Sequence, residues 1–267
     1  MPARGRVLIV AGSDSGGGAG IQADLKTVTA LGGYAATAIT ALTAQNTQGV
    51  HAIQEVPVDF IRRQMEVVLD DIGADGLKTG MLHRAAVVET VADVIGARAP
   101  DLPLVVDPVM VAKGGARLLD DATVAAIKAR LVPRAAVLTP NLPEAEVLSG
   151  LRIADEADMA AAARALKALG PAAVLLKGGH LAGDRVVDLL ATDRGLRRFE
   201  DPRIETRHTH GTGCTLASAI ACGLAQGLDL GPAVVRARAY VQAAIRTAPG
   251  LGHGHGPLNH GHPLNIK

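Results

Sequence analysis

The sequence predicts an α/β protein, with a central, mostly parallel sheet covered by helices on both faces, in one domain over residues 1–267. Three observations predict it. Short runs such as VLIVA, LVV and AVLL are apolar at every position, as strands buried on both faces are. They alternate with stretches in which apolar residues recur at helical spacing. Polar residues collect directly after the runs, at Asp107, Asn141, Glu144, Lys177 and around Gly211. Strand ends of such a sheet share one edge, so these residues can converge there.

Residues 7–11 (VLIVA) open the chain as a buried strand. The run 12–20 (GSDSGGGAG) has five glycines in nine residues, more than a connection needs. It reads as a loop ahead of a helix faced by Ile21, Leu25, Val28 and Leu31. It lacks the G-x-x-x-x-G-K-[ST] phosphate loop, and no acidic residue follows a second strand to hold a ribose. Residues 34–44 (YAATAITALTA) are extended and lead into the amides Gln45 and Asn46; 49–56 form another strand. A helix over 58–72 carries Ile61, Met65, Val68 and Leu69 on one face. Strand 76–79 (GLKT), helix 85–97 and strand 104–106 (LVV) follow, the last ending at Asp107. The glycine-containing stretch 109–119 is a candidate lid. Helix 121–131 precedes strand 136–139 (AVLT), and Asn141 and Glu144 stand between that strand and the next helix. Helix 158–169 and strand 173–176 (AVLL) lead to Lys177. Segments 186–191 and 195–199 pair antiparallel, and helices 214–226 and 232–247 close the fold.

Composition narrows the function. The apolar 48% is ordinary for a globular chain, but it holds two Phe, two Tyr and no Trp. That argues against binding single-stranded nucleic acid by base stacking. A formal charge of +1 gives no electrostatic footprint for nucleic acid. No apolar run reaches the ~18 to 20 residues of a membrane span, and the N-terminal run is shorter than a secretory signal core. Two cysteines eight apart on one expected helix make a poor disulfide, so the expected compartment is a reducing cytoplasm. The tail holds His253, His255, His260 and His262 among glycines. It lacks the spacing of a structural zinc site.

The stretch His208 to Ala225 organises the chain. Gly211 and Gly213 allow a tight turn, and the N–H groups of the following helix start make an anion site with the helix dipole. Cys214 falls in the first turn, where the same field is expected to lower the thiol pKa. The alternative, an ordinary helix start with Cys214 as a small core residue, stays open on these residues alone. For Asn141 and Glu144 the spacing favours an Asn cap completed by a Glu. Asp107, Asn141, Glu144, Lys177 and the Gly211 turn together are parts that phosphoryl transfer needs.

The motifs GSDSGGGAGIQADLKT, ITALTAQNT, LKTGML, VVDPVMVAKGG, LTPNLPEAEVL, LLKGGH, THGTGCTLASAIA and GHGHGPLNH occur in this order. With them the chain resembles the ribokinase-like family, and within it the hydroxymethylpyrimidine/phosphomethylpyrimidine kinases. The resemblance implies a ribokinase-like three-layer α/β/α fold. It also implies an ATP- and Mg2+-dependent enzyme that phosphorylates 4-amino-5-hydroxymethyl-2-methylpyrimidine and then its monophosphate. It implies that Gln45 holds the aminopyrimidine edge, with Gly12, Ala19, Asp24, Met81 and Val109 completing the pocket. Gly211, Thr212, Gly213 and Cys214 become the anion hole, with Cys214 as general base. Asn141 and Glu144 match an N-x-x-E motif acting on magnesium and phosphate, and Asp107 and Lys177 lie near the ATP phosphates. Gly115 departs from the family's usual small polar lid residue. A homodimer is implied, and the Thr-rich edge 34–56 is the expected interface. The rival readings are a pyridoxal or pyridoxine kinase, which is expected to carry a lid cysteine, and a non-catalytic pyrimidine-binding protein.

Overall fold

The computed structural model describes residues 5–110 and 119–264. Its centre is one nine-stranded sheet in the order β3-β2-β1-β4-β5-β6-β7-β8-β9, from β1 (Arg6–Asp14), β2 (Tyr34–Gln45), β3 (Val50–Glu55), β4 (Gly76–Thr79), β5 (Leu104–Val106), β6 (Val137–Leu138), β7 (Val174–Lys177), β8 (Arg185–Thr192) and β9 (Gly195–Pro202). The six strands from β2 to β7 in that order pair parallel. β3 joins one margin and the β8–β9 hairpin the other, all antiparallel.

The helices are α1 (Gly20–Ala30), α2 (Val58–Asp71), α3 (Ala85–Arg98), α4 (Asp121–Ala126), α5 (Leu142–Ser149), α6 (Glu156–Lys167), α7 (Thr212–Ala225) and α8 (Leu230–Arg246). They form two layers because successive side chains of a strand point to opposite faces. Leu8, Val10, Leu104 and Val106 pack with α2, α3, α5 and α6. Val7, Ile9, Ala11 and Val105 pack with α1, α7 and α8. Burying each such side chain is worth about 1.5–3 kcal/mol. The small residues of α7 let it lie against the sheet: a Cβ on Gly76 of β4 would meet the Ala225 Cβ at 3.2 Å. Among the described residues no helix is long and apolar enough to cross a membrane.

Three expectations are corrected. The loop expected from residue 12 begins later, because β1 continues past an irregularity at Gly12 and pairs Ser13 with Leu42 and Asp14 with Thr43. The helix expected over 121–131 is α-helical only to Ala126; a π turn over Ile127–Leu131 and a 3-10 turn over Val132–Arg134 follow. Pro133 has no N–H to donate, so the α pattern gives way before it. The last two helices begin two residues earlier than expected, at Thr212 and Leu230. Residues 111–118 of the candidate lid, Gly115 included, lie outside the described residues.

Candidate active site

The carboxyl ends of the parallel strands open into a cleft of about 740 Å3. β1 ends there at Asp14, β2 at Gln45 and β7 at Lys177; Asp107 directly follows β5, and Asn141 lies three residues beyond β6. The start of α7 forms part of its wall. Gly211 caps that helix with φ +83°, and a Cβ there would meet the Gly18 carbonyl oxygen at 1.8 Å. Only glycine fits both demands. The first bond inside the helix is Thr215 N–H to Gly211 O, 2.9 Å. The N–H groups of Gly213 and Cys214 precede it, so they have no partner within the helix.

Charged groups converge beside this turn. Lys177 Nζ donates to Asp107 Oδ1 at 3.0 Å, and the Thr139 hydroxyl donates to the same oxygen at 3.2 Å. A Cβ on Gly213 would lie 3.1 Å from Lys177 Nζ and 3.8 Å from Asp107 Oδ2, which measures how closely the turn meets the pair. Burial works against the Lys177 ammonium, but Asp107 and Glu144 outweigh it and hold its pKa above the ordinary value. Asn141 and Glu144 form a reciprocal capping box on α5: Glu144 N–H donates to Asn141 Oδ1 (3.0 Å), and Asn141 N–H to Glu144 Oε2 (2.8 Å). Burial pushes the Glu144 carboxyl up to about 7 against the pull of Lys177.

Cys214 departs from expectation. Its thiol is not lowered but pushed up to about 12, first by burial and further by Asp24 and Asp107, with Lys78 opposing. Desolvation is the largest influence, and it outweighs the charge of Lys78.

Gly12, Ala19, Gln45, Met81 and Val109 line the rest of the cleft. A Cβ on Gly12 would meet the Met81 methyl at 2.5 Å, so the bare backbone there makes room for that side chain. Asp24 is placed elsewhere. It is fully buried on α1 beneath the cleft, where it accepts from Lys78 Nζ (2.8 Å) and from the Ser218 hydroxyl (2.6 Å). It therefore braces β4, α1 and α7 rather than lining the pocket.

Three polar residues of the site carry no expectation from the sequence. Lys78 lines the cleft from a strand whose other residues read as core. Asp14 gathers the glycine loop around its own carboxylate, accepting from Gly16 N–H (2.8 Å), Gly18 N–H (3.1 Å) and Ala19 N–H (2.8 Å). The loop's glycines thus serve an internal anion. His210 approaches Asp14 Oδ2 at 2.9 Å from 196 residues away. Further along the cleft Arg238 pairs with Asp188 and Asp201. The histidine tail folds back on the site: His210 N–H donates to Gly256 O, and His260 Nε2 meets the Thr215 hydroxyl at 2.9 Å.

This arrangement has known counterparts. A family model described as phosphomethylpyrimidine kinase matches residues 14–259. The thiamine biosynthesis bifunctional protein ThiED of Geobacter sulfurreducens is 55% identical over 257 residues, or 96% of this chain, which spans 52% of that protein's length. The hydroxymethylpyrimidine/phosphomethylpyrimidine kinase of Streptomyces coelicolor is 52% identical over 258 residues, covering 97% of this chain and 95% of that one. The pyridoxal kinase of Bacillus subtilis, solved as an ADP complex, superimposes with a TM-score of 0.90 at 37% identity, over 98% of this chain and 99% of that one. The three-layer architecture is the ribokinase-like fold. Because the matched span runs from Asp14 through the Gly211 turn to the folded-back tail, the chain belongs to the phosphomethylpyrimidine kinase family.

Proposed function

We propose that the protein transfers the γ-phosphoryl group of ATP to the hydroxymethyl oxygen of 4-amino-5-hydroxymethyl-2-methylpyrimidine, and in a second turnover to the resulting monophosphate, within thiamine biosynthesis. The observation that carries this reading is one cleft with the Cys214 turn and the Lys177–Asp107 pair together, and Gln45 on the same wall. Gln45 is a donor and an acceptor in one group, which suits an aminopyrimidine edge. The N–H groups of Gly213 and Cys214 and the Lys177 ammonium face the transferring phosphoryl oxygens, where positioned charge does most of the work. Cys214 takes the hydroxyl proton as general base; Lys78 and the helix start favour the thiolate against burial. Adenine rests on aliphatic side chains, for which Val241 and Ile245 of α8 are available in the cleft. Asp107 and Glu144 supply buried carboxylate oxygens and Asn141 an amide oxygen, donors that fit Mg2+. When bound, that ion would neutralise charge on the phosphate oxygens. Both cysteines are free thiols, in keeping with a cytoplasmic protein. Two copies associate through the margin of β2 and β3, where Tyr34 and Leu42 are exposed.

Pyridoxal kinase is the second reading, favoured by the likeness to the Bacillus subtilis enzyme. Against it, the only cysteines are Cys214 and Cys222, with none in the stretch 109–119. ADP release separates the readings when measured with the hydroxymethylpyrimidine, its monophosphate and pyridoxal, on protein whose mass is read by light scattering. Both pyrimidines should turn over fast and pyridoxal slowly, on a dimer. Pyridoxal turning over fastest would replace the proposal, and a monomeric mass would remove the dimer.

A further inference from the structure

Four side chains on the cleft wall, Asp14, His210, Gln45 and Thr43, form one hydrogen-bonded line, and counting its protons assigns every member. Asp14 is almost fully buried and already accepts three backbone N–H groups. A carboxylate held in this way is ionised. Its remaining neighbour, His210 Nε2 at 2.9 Å, must therefore carry a proton and donate it. The same Nε2 lies 3.3 Å from the end of the Gln45 carboxamide that the structure sets as Nε2. A ring nitrogen that donates has no lone pair left, so the end of the amide that suits it is the carbonyl oxygen, which shares the Nε2–H with Asp14 at the longer distance.

The other end of the amide gives an independent count. In the structure this end is set as Oε1 and accepts from Thr43 Oγ1 at 3.1 Å. Thr43 has one hydroxyl proton, and Ser13 O at 2.9 Å is the shorter of its two contacts, so the proton is placed there. Thr43 can then accept from an amide N–H but cannot donate to an amide oxygen. The two ends of a carboxamide have the same shape, so the hydrogen-bond network decides between them. Both counts favour turning the amide over from the orientation the structure gives it, with the oxygen at His210 and the NH2 at Thr43. The opposite orientation sets two donors against each other at His210 and leaves a hydroxyl without a second proton at Thr43.

We propose that His210, held by Asp14, is a positioning residue that fixes the Gln45 carboxamide in this orientation and so sets the direction in which the substrate lies. The proposal rests on the reading of Gln45 as the aminopyrimidine-binding residue. Once locked, the amide keeps one N–H and one oxygen lone pair for a ligand. The substrate's amine then lies on the His210 side and its ring nitrogen on the Thr43 side. In 4-amino-5-hydroxymethyl-2-methylpyrimidine the hydroxymethyl carbon is attached next to the amine-bearing carbon, further along the same direction. It is carried toward the turn that follows His210, Gly211 to Cys214. A reversed amide would call for a reversed ring and send the hydroxymethyl group toward Thr43.

The test uses the substrate and its 4-oxo analogue, whose edge is reversed: the carbonyl accepts and the ring N–H donates. The wild-type protein should prefer the amine strongly in kcat/KM, since a site built around one hydrogen-bonding pattern rejects the other. His210→Phe keeps a flat ring but removes the donor, and it frees the amide to turn over. The preference should fall at least about tenfold, with a raised KM for the amine and a KM for ATP within about twofold of wild type. Thr43→Val unlocks the other end and should act in the same direction, which keeps the test open if His210→Phe does not fold. An unchanged preference in the folded variants overturns the proposal. Histidine 15N NMR of the wild-type protein without substrate gives a second reading, in which His210 Nε2 should carry a proton at neutral pH. A bare Nε2 overturns the lock whatever the substrate is. Failure of the wild-type protein to phosphorylate either compound, with Nε2 protonated, sinks the functional reading and leaves the lock standing.

Discussion

Cys214 is the third residue of α7, and its surroundings pull its proton in opposite directions. Burial and the nearby Asp24 and Asp107 carboxylates keep the thiol protonated, while buried Lys78 favours the thiolate. The two proposed acceptors make different demands on it. An alcohol must lose a proton as the new bond to phosphorus forms. A phosphate monoester has a second pKa near ~6 and is already ionised at neutral pH. A general base therefore matters for the first phosphorylation and much less for the second. Cys214→Ala is expected to slow the first by ~10²- to 10⁴-fold, the usual worth of a positioned base, and the second by less than ~10-fold. Single-turnover rates on the two substrates taken separately would show it. Equal losses would make Cys214 a shape-determining member of the anion hole and not a base. Groups at strand ends, such as Asp107 and Lys177, are legible in the sequence because an end position can be read from the apolar run before it. Lys78 is not legible, because a buried lysine needs a partner as close as Asp24, and that partner lies 54 residues away.

At the scale of elements, the junction between the glycine loop and α7 decides whether the site forms. Gly211 has a left-handed backbone and sits under the Gly18 carbonyl, so the two segments can touch only while position 211 lacks a Cβ. Gly211→Ala adds a conformational cost of about 1–2 kcal/mol and a backbone collision on top of it. A total loss on the order of 2–4 kcal/mol is expected. It would be read from the urea midpoint, together with a fall in turnover as the turn and loop part. A midpoint and turnover both at wild-type values would mean that the junction tolerates a side chain. Most elements were legible in the sequence, since short apolar runs such as VLIVA and LVV, alternating with stretches of helical spacing, fit strands buried on both faces. The Asn-x-x-Glu capping box was legible too, being a local pattern. The end of β1 was not. Gly12, Ser13 and Asp14 look like loop residues, and they are held in the sheet by pairing with β2 and by the bond from Asp14 to His210. Those contacts are long-range, and no window of local sequence contains them.

At the scale of the whole molecule, the tail after α8 returns to close the α7 side of the site. His260 is buried, its Nε2 meets the Thr215 hydroxyl, and its carbonyl accepts from the Tyr240 hydroxyl at 2.6 Å. The sequence presents this segment as a run of histidines and glycines, with nothing local to say that one of them is a core residue. Burial, helped by the positive charge of Lys26 and by His262 and His210, lowers the His260 pKa to about 4. An unfolded histidine titrates near ~6.5, so between these values the unfolded chain binds a proton that the folded chain refuses. Stability is therefore full above pH ~6.5 and falls as the pH drops from there toward ~4, by on the order of 3 kcal/mol at most for this one group. His260→Gln keeps a polar side chain without that proton, so its stability should depend less steeply on pH across the window. The measurement is the denaturant midpoint of both proteins at several pH values, in which the carboxylates common to both cancel in the difference. Parallel curves would show that His260 does not hold the tail as a neutral core residue. Converging curves as the pH falls would show that the packing of the tail on α7 and α8 is itself acid-labile, and with it the helix start that carries Cys214.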